Sequence, residues 1–312
     1  MTVKKSYTSG HFELLIDGHS SSAYLKSVDG GNWKSSSISE GVGPEINKIN
    51  HRGVLEVEPF TMDMGIAGCQ DILKWIQNSW NKKYERRSGS VRHADFNLQT
   101  TFEHEFFHAL ITEVTFPSLD GASKEAGYLK IKIHPETVNT KFESGQHVSG
   151  NMSPMQKAWI PSGFAFSIDG IGGMEYTNKI ESFTIKQGVK THYVGDDRYP
   201  QIEPTKIEYP NIVGTMAMEY SGALHKWWTD HTKRVSADDK SLQKHAEIRF
   251  LGPTREVNKP LFTIDLYNCN IINFTPVAST ANTEAIKRVK FELKVESMKL
   301  DVGGKGFTTA FS

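Results

Sequence analysis

Cysteine is almost missing from this sequence: Cys69 and Cys269 are the two thiols in 312 residues. That excludes a disulfide framework and implies two reduced, semi-buried thiols in a protein folded in the cytoplasm. No apolar run approaches 18 residues, so no membrane span is expected. The polar start Met1-Thr2-Val3-Lys4-Lys5-Ser6 leads into no apolar stretch, so no signal peptide is expected. Net charge is absent too, with 36 Lys+Arg against 36 Asp+Glu. A balanced chain is not one whose whole surface is built for nucleic acid, although a local patch remains open.

What is present is a core-forming chain written twice. Hydrophobic residues make up 38%, enough to bury a core, and the length suggests two domains. Phe12–Gly18 resembles Phe164–Gly170 at an offset of 152. At the same offset Ser27-Val28-Asp29 meets Lys179-Ile180-Glu181, Ile72–Trp75 meets Leu224–Trp227, and Ala94-Asp95-Phe96 meets Ala246-Glu247-Ile248. The last strands, Leu129/Ile131/Ile133 and Val289/Phe291/Leu293/Val295, match at about 160. That slip implies a short insertion, expected in the Thr275–Glu284 loop, where Pro276, Ser279, Thr280 and Asn282 read as turn chemistry.

Period-two alternation dominates both halves and predicts half-buried strands, as in Phe96/Leu98/Thr100/Phe102 and Phe262/Ile264/Leu266. One helical pattern interrupts each half: Ile72, Leu73, Trp75, Ile76 and Trp80 in the first, Leu224, Trp227 and Trp228 with Ser221 as N-cap in the second. These tryptophans read as core packing. The expected fold is mainly β: two tandem antiparallel β-sandwich or barrel domains, each with one α-helix. The expected boundaries are 1–138 and 164–302. A Ser/Gly/Asn-rich linker joins them at 139–163, with Trp159 and Ile160 as anchors, and a flexible tail follows at 303–312.

The chemistry-bearing motifs are few. His104-Glu105-Phe106-Phe107-His108 matches HExxH, which on a helix puts two histidines on one face around zinc with the glutamate as base. The residues after it, Ala109–Phe116, alternate and are β-branched, so they favour a strand. An extended segment would hold the two histidines about 13 Å apart at ~3.3 Å per residue. Glu125 and Glu136 are the acidic residues available as a third ligand, and the repeat partner of the motif, placed at Pro253–Leu261, has no histidines. No metal, cofactor or catalytic residue is therefore expected. Gly303–Gly306 opens no helix and reads as tail; Gly170–Gly173 reads as a turn. The basic cluster Lys82, Lys83, Arg86 and Arg87 reads as a solvated loop, or as a contact for an acidic neighbour.

One run carries a resemblance. Asp71-Ile72-Leu73-Lys74-Trp75-Ile76, the basic turn Lys82–Arg87, Ser88-Gly89-Ser90-Val91, Ala94-Asp95-Phe96-Asn97, the strand Ala109–Phe116 before Pro117, and the final strand Tyr128–Glu136 follow one another. This order resembles the tail-tube protein family of contractile phages and phage-like injection systems. Phe164–Lys186 and Phe262–Met298 look like the same domain again. Simple members of that family are about half this length. The resemblance implies a structural protein, not an enzyme. Its partners would be copies of itself in stacked rings, with three chains giving a pseudo-hexameric ring, together with sheath and baseplate proteins and DNA or protein cargo in the lumen. It implies assembly in a bacterial host cytoplasm and residence in a virion tail or injection particle. A tube initiator, baseplate hub or terminator ring is the alternative within that machine; an HExxH zinc metallopeptidase is the alternative outside it.

Overall fold

The computed structural model of the chain describes residues 10–20, 25–41, 43, 48–66, 69–142, 145–148, 159–195, 199–233, 242–278 and 286–303. The expected tail beyond Gly303, most of the middle of the linker and part of the Thr275–Glu284 loop lie outside them.

The first half holds β1 (His11–Ile16), β2 (His19–Ser20), β3 (Leu25–Asp29), β4 (Trp33–Gly41), β5 (Lys48–Val57), β6 (Phe60–Gly65), α1 (Gln70–Trp80), β7 (Arg87–Ala94), β8 (Thr100–Phe116), β9 (Leu119–Asp120), β10 (Tyr128–His134) and β11 (Thr137–Phe142). The second half holds β12 (Phe164–Ile168), β13 (Thr177–Ile180), β14 (Phe183–His192), β15 (Gln201–Glu208), β16 (Ile212–Ala217), α2 (Gly222–Lys233), β17 (Lys244–Leu251), β18 (Pro260–Pro276), β19 (Arg288–Lys294) and β20 (Ser297–Asp301). Among the described residues the fold is mainly β with one α-helix in each half, and every strand pairing is antiparallel.

Each half is organised by one 17-residue strand, β8 or β18. The first part of β8 pairs with β7 and β11, and its last part pairs with β10. The first part of β18 pairs with β17 and β20, and its last part with β19. A strand shared by two sets of neighbours bends the sheet toward a nearly closed barrel, and the alternation of apolar residues along it fills the inside. Phe106, Ala109, Val114 and Phe116 point inward from β8, and Phe262, Ile264 and Leu266 from β18. Pro117 has no N–H to continue the ladder, and β8 stops before it.

The pairing registers correct the repeat alignment. In the first half Leu14 lies opposite Val91; in the second Phe166 lies opposite Ile248. Since Phe166 stands 152 positions after Leu14, Ile248 corresponds to Val91 and not to Phe96. The extra residues enter before that point. Trp75 Nε1 donates to the carbonyl of Glu85, 10 residues on, and Trp227 Nε1 to that of Leu242, 15 residues on. The β7–β8 turn joins Ala94 to Thr100, and the β17–β18 turn joins Leu251 to Pro260. The connections after α2 and after β17 therefore hold the added length, and the Thr275–Glu284 loop adds none.

Two further expectations change. Phe96 and Leu98 lie in a turn, with Phe96 71% exposed and Leu98 at φ +63°, because Asp95 Oδ1 accepts from the backbone N–H groups of Asn97 and Gln99 and closes the chain there. The expected linker is shorter at both ends. β11 runs to Phe142 on β8. Trp159 is buried, donating to the Leu251 carbonyl at 3.0 Å and packing on Phe250.

Candidate functional site: the seam between the halves

The two halves meet as one sheet. β14 adds to the free side of β8 with Phe183 opposite Phe116, Thr184 opposite Thr115, Ile185 opposite Val114 and Lys186 opposite Glu113. Beyond Pro117, β9 pairs with β13. The Thr115 and Thr184 hydroxyls lie 2.8 Å apart. Phe116 stacks on Phe183 with ring centroids 5.1 Å apart and also meets Phe250, Phe262 and Trp80. A first-half phenylalanine thus sits inside second-half aromatic side chains, fully buried.

Polar contacts flank this apolar centre. Ser79 at the end of α1 donates to Gln187 Oε1 at 2.8 Å, and Gln77 Nε2 donates to the Leu300 carbonyl on β20 at 2.9 Å. Arg86 donates to the Ile202 carbonyl at 2.7 Å and lies 3.1 Å from Glu203 and 3.6 Å from Glu136. Glu136 in turn accepts from the Ile202 N–H. An open groove of about 300 Å³ runs along the seam, lined by Glu113, Lys132, His134, Lys186 and Glu208 among others. Burial pushes the His134 imidazole below its ordinary pKa, with the Lys132 charge acting in the same direction.

The basic cluster therefore divides. Arg86 ties the halves together, and Arg87 pairs with Glu85 and Asp17. The sequence reads these arginines as a solvated loop or as a contact for an acidic neighbour, and it carries no mark of the seam roles of Phe116, Thr115, Ser79 and Gln187. One signal was present: α1 carries apolar residues at Leu73 and Trp80, where α2 has His225 and Thr232. A helix apolar on a wider face has a second neighbour to cover it.

The HExxH residues lie on β8, not on a helix. His104 is buried, with Nδ1 3.1 Å from the Thr140 hydroxyl and its ring against Phe102 and Phe60. Burial, and secondarily His93, pushes its pKa down to about 4. His108 is exposed, with Nδ1 3.1 Å from Glu136. Glu105 faces Lys141 and Asn139, and the hydrogen bond from Lys141 holds its carboxyl below the usual range. Glu125 stands in an exposed turn. The two histidines thus serve different surroundings.

Among the described residues, the one group of three side chains close enough to share an ion is His245, Glu247 and Asp265. Glu247 is already paired with Arg249, and Asp265 with His245, which also reaches Asp169. Cys69 and Cys269 are free and fully buried, where semi-buried thiols were expected, and desolvation pushes each thiol up to about 12. Gly170 and Gly173 form the expected turn, both at positive φ.

Residues 8–139 match the family model of the T4-like virus tail tube protein gp19. Solved structures similar to the chain include the sheath-tube complex of the PVC extracellular contractile injection system in the extended state, at 17% identity and TM-score 0.40, covering 45% of this chain and 94% of that one. Its sheath/tube terminator matches at 17% identity and TM-score 0.41, covering 45% and 99%. The tube terminating cap of the anti-feeding prophage matches at 14% identity and TM-score 0.39, covering 46% and 95%. No curated protein matches the chain.

Proposed function

We propose, from the match of residues 8–139 to the family model of the T4-like tail tube protein, that this chain is a structural subunit of a phage tail or contractile injection system. It supplies two tube-like domains, one from each half of the chain, to one ring. The observation that supports this reading is that the second half retraces the strand order and registers of the family-matched half and then joins it side by side through β8 and β14. Two folds joined edge to edge form one third of a ring of six. Three chains then complete a pseudo-hexameric ring, and stacked rings form a tube whose lumen passes DNA or protein cargo. Sheath and baseplate proteins are its neighbours, and the assembled particle is its place of residence.

Head-to-tail contacts close into rings when the rotation per subunit divides a full turn. Negative-stain images with native mass measurement test the count. Rings with the mass of three 35.0 kDa chains are expected. A protein that remains monomeric at high concentration and beside its partner proteins would overturn the reading, as would six chains in one layer of twelve folds.

A further inference from the structure

The seam inside the chain uses two different surfaces: the outer edge of β8 from the first half and the outer edge of β14 from the second. Each half therefore leaves the complementary surface unused. The registers identify which strands carry them. Lys34 opposite Glu56 on β4–β5 corresponds to Lys186 opposite Glu208 on β14–β15, and both hairpins carry a register shift at the next step, Ser35/Ser37 and Gln187/Val189. Val114 opposite Ile131 corresponds to Phe274 opposite Phe291. So β4 is the counterpart of β14, and the last part of β18 is the counterpart of the β8 edge.

Both counterparts are open. Among the described residues β4 pairs with β5 alone, and β18 over Asn273–Pro276 pairs with β19 alone. Ile272 and Val277 are 41% and 46% exposed beside that edge, and Ile38, Ile49 and Val54 are about half exposed on the β4–β5 ribbon. The helices agree. α1 touches β20 of the other half and buries Leu73, Ile76 and Trp80, whereas the matching positions of α2, His225, Trp228 and Thr232, are exposed or half-buried.

Resting on the ring reading above, we infer that β4 of one chain adds antiparallel to β18 of a second copy. Trp33 then lies opposite Phe274 and Lys34 opposite Asn273, which repeats the β8–β14 seam between chains. Unpaired backbone groups on two exposed edges drive the pairing. The interchain seam differs in one respect. Where Phe116 stacks on Phe183 inside the chain, the corresponding residues are Pro276 and Gly31. The seam between chains lacks that aromatic pair, so it opens on dilution while the internal seam holds.

Directly opposed residues of an antiparallel pair have Cβ atoms about 4.5–5.5 Å apart, within reach of a short thiol cross-linker. The full-length chain carrying Lys34→Cys and Asn273→Cys is assembled and cross-linked. Glu113→Cys with Lys186→Cys serves as the internal control, and Lys34→Cys with Val277→Cys as the out-of-register control. The expected result is dimers and closed trimers on a denaturing gel for the first pair, an intrachain link for the internal control, and several-fold less multimer for the out-of-register pair. Rings that form with the first pair unlinked, while the internal control links, overturn this seam and leave the ring reading standing. A chain that stays monomeric at every concentration overturns both.

Discussion

His108 and Asn268 occupy the same left-handed kink in corresponding strands, at φ +50° and +54°. Each bonds the glutamate 28 residues downstream, Glu136 at 3.1 Å and Glu296 at 2.8 Å. The kink is where β8 and β18 pass from one set of partner strands to the other. The second histidine of the HExxH run is therefore a bend residue, and asparagine does the same work in the other half. His108→Asn is expected to cost under about 1 kcal/mol, because asparagine tolerates left-handed backbone. His108→Val is expected to cost about 1–3 kcal/mol, because a β-branched residue is strained there. Chemical denaturation reads both. Equal losses for the two variants would show that the kink places no demand on the residue. Metal analysis of the purified protein is expected to find no stoichiometric zinc.

Trp75 and Trp227 are the matching anchors of the two cores, each buried and each donating its indole N–H to the chain that follows its helix. Replacing either with alanine is expected to cost about 3–5 kcal/mol, the range for large buried aromatics. Losses below about 1 kcal/mol for both in urea denaturation would show that neither anchors its core, since a core tryptophan cannot be removed so cheaply.

Much of the fold was legible because strands and helices leave local periodicities. Alternation placed β8, β10, β18 and β19, and the Trp-bearing pattern placed both helices. What was not legible is nonlocal. The offset moved from 152 to 160 between α2 and β18, and only the cross-strand partners of Leu14 and Phe166 locate where. The seam was hidden for the same reason. Thr115 and Thr184 are ordinary strand residues in sequence, and their contact exists only after two distant edges pair. Arg86 looked like one of four exposed cations until Ile202 and Glu203 came beside it from the other half.

Acid is expected to weaken the first half through His104. The folded chain holds this imidazole neutral, with its pKa pushed down to about 4 by burial among Phe60, Phe102 and His93. In the unfolded chain the group protonates near the ordinary value of about 6.5. Between those values the unfolded chain binds more protons, so stability falls as pH drops from about 6.5 to about 4 and is unaffected by this group above that window. The total is on the order of 3 kcal/mol. His93, which burial also pushes down, acts in the same direction. Denaturation midpoints across this pH range should flatten in His104→Gln. An unchanged acid slope in that variant would remove His104 as the cause.

Arg86 should matter to the seam more than Lys82 or Lys83, since it alone of the three holds second-half groups in the contacts described above. Arg86→Ala is expected to cost about 1–3 kcal/mol, the worth of charge-assisted bonds to a carbonyl and a carboxylate that lose their donor. Arg86→Lys keeps the charge without the forked geometry and should recover only part of that. Lys83→Ala should leave stability within about 0.5 kcal/mol, as for surface positions generally. Equal effects at positions 83 and 86 in parallel denaturation curves would mean the arginine contacts contribute nothing.

The covalent connection between the halves is the remaining variable. If β8 and β14 form the same kind of seam that joins neighbouring chains, the connection raises effective concentration and does not create the interface. A protease site placed within 149–158 separates the two contributions. After cleavage the fragments are expected to stay together on a sizing column, held by the β8–β14 and β9–β13 ladders and by Phe116 inside Phe183, Phe250 and Phe262. Phe116→Ala removes the aromatic centre of that contact. Its cost of about 3–5 kcal/mol, now acting on a two-chain equilibrium, should weaken association some hundredfold or more. In the uncut chain the same substitution should leave the halves paired, because the connection compensates. Fragments of the wild-type chain that separate at micromolar concentration would show that the seam depends on the connection. Six folds around a ring would then need some contact other than paired edges.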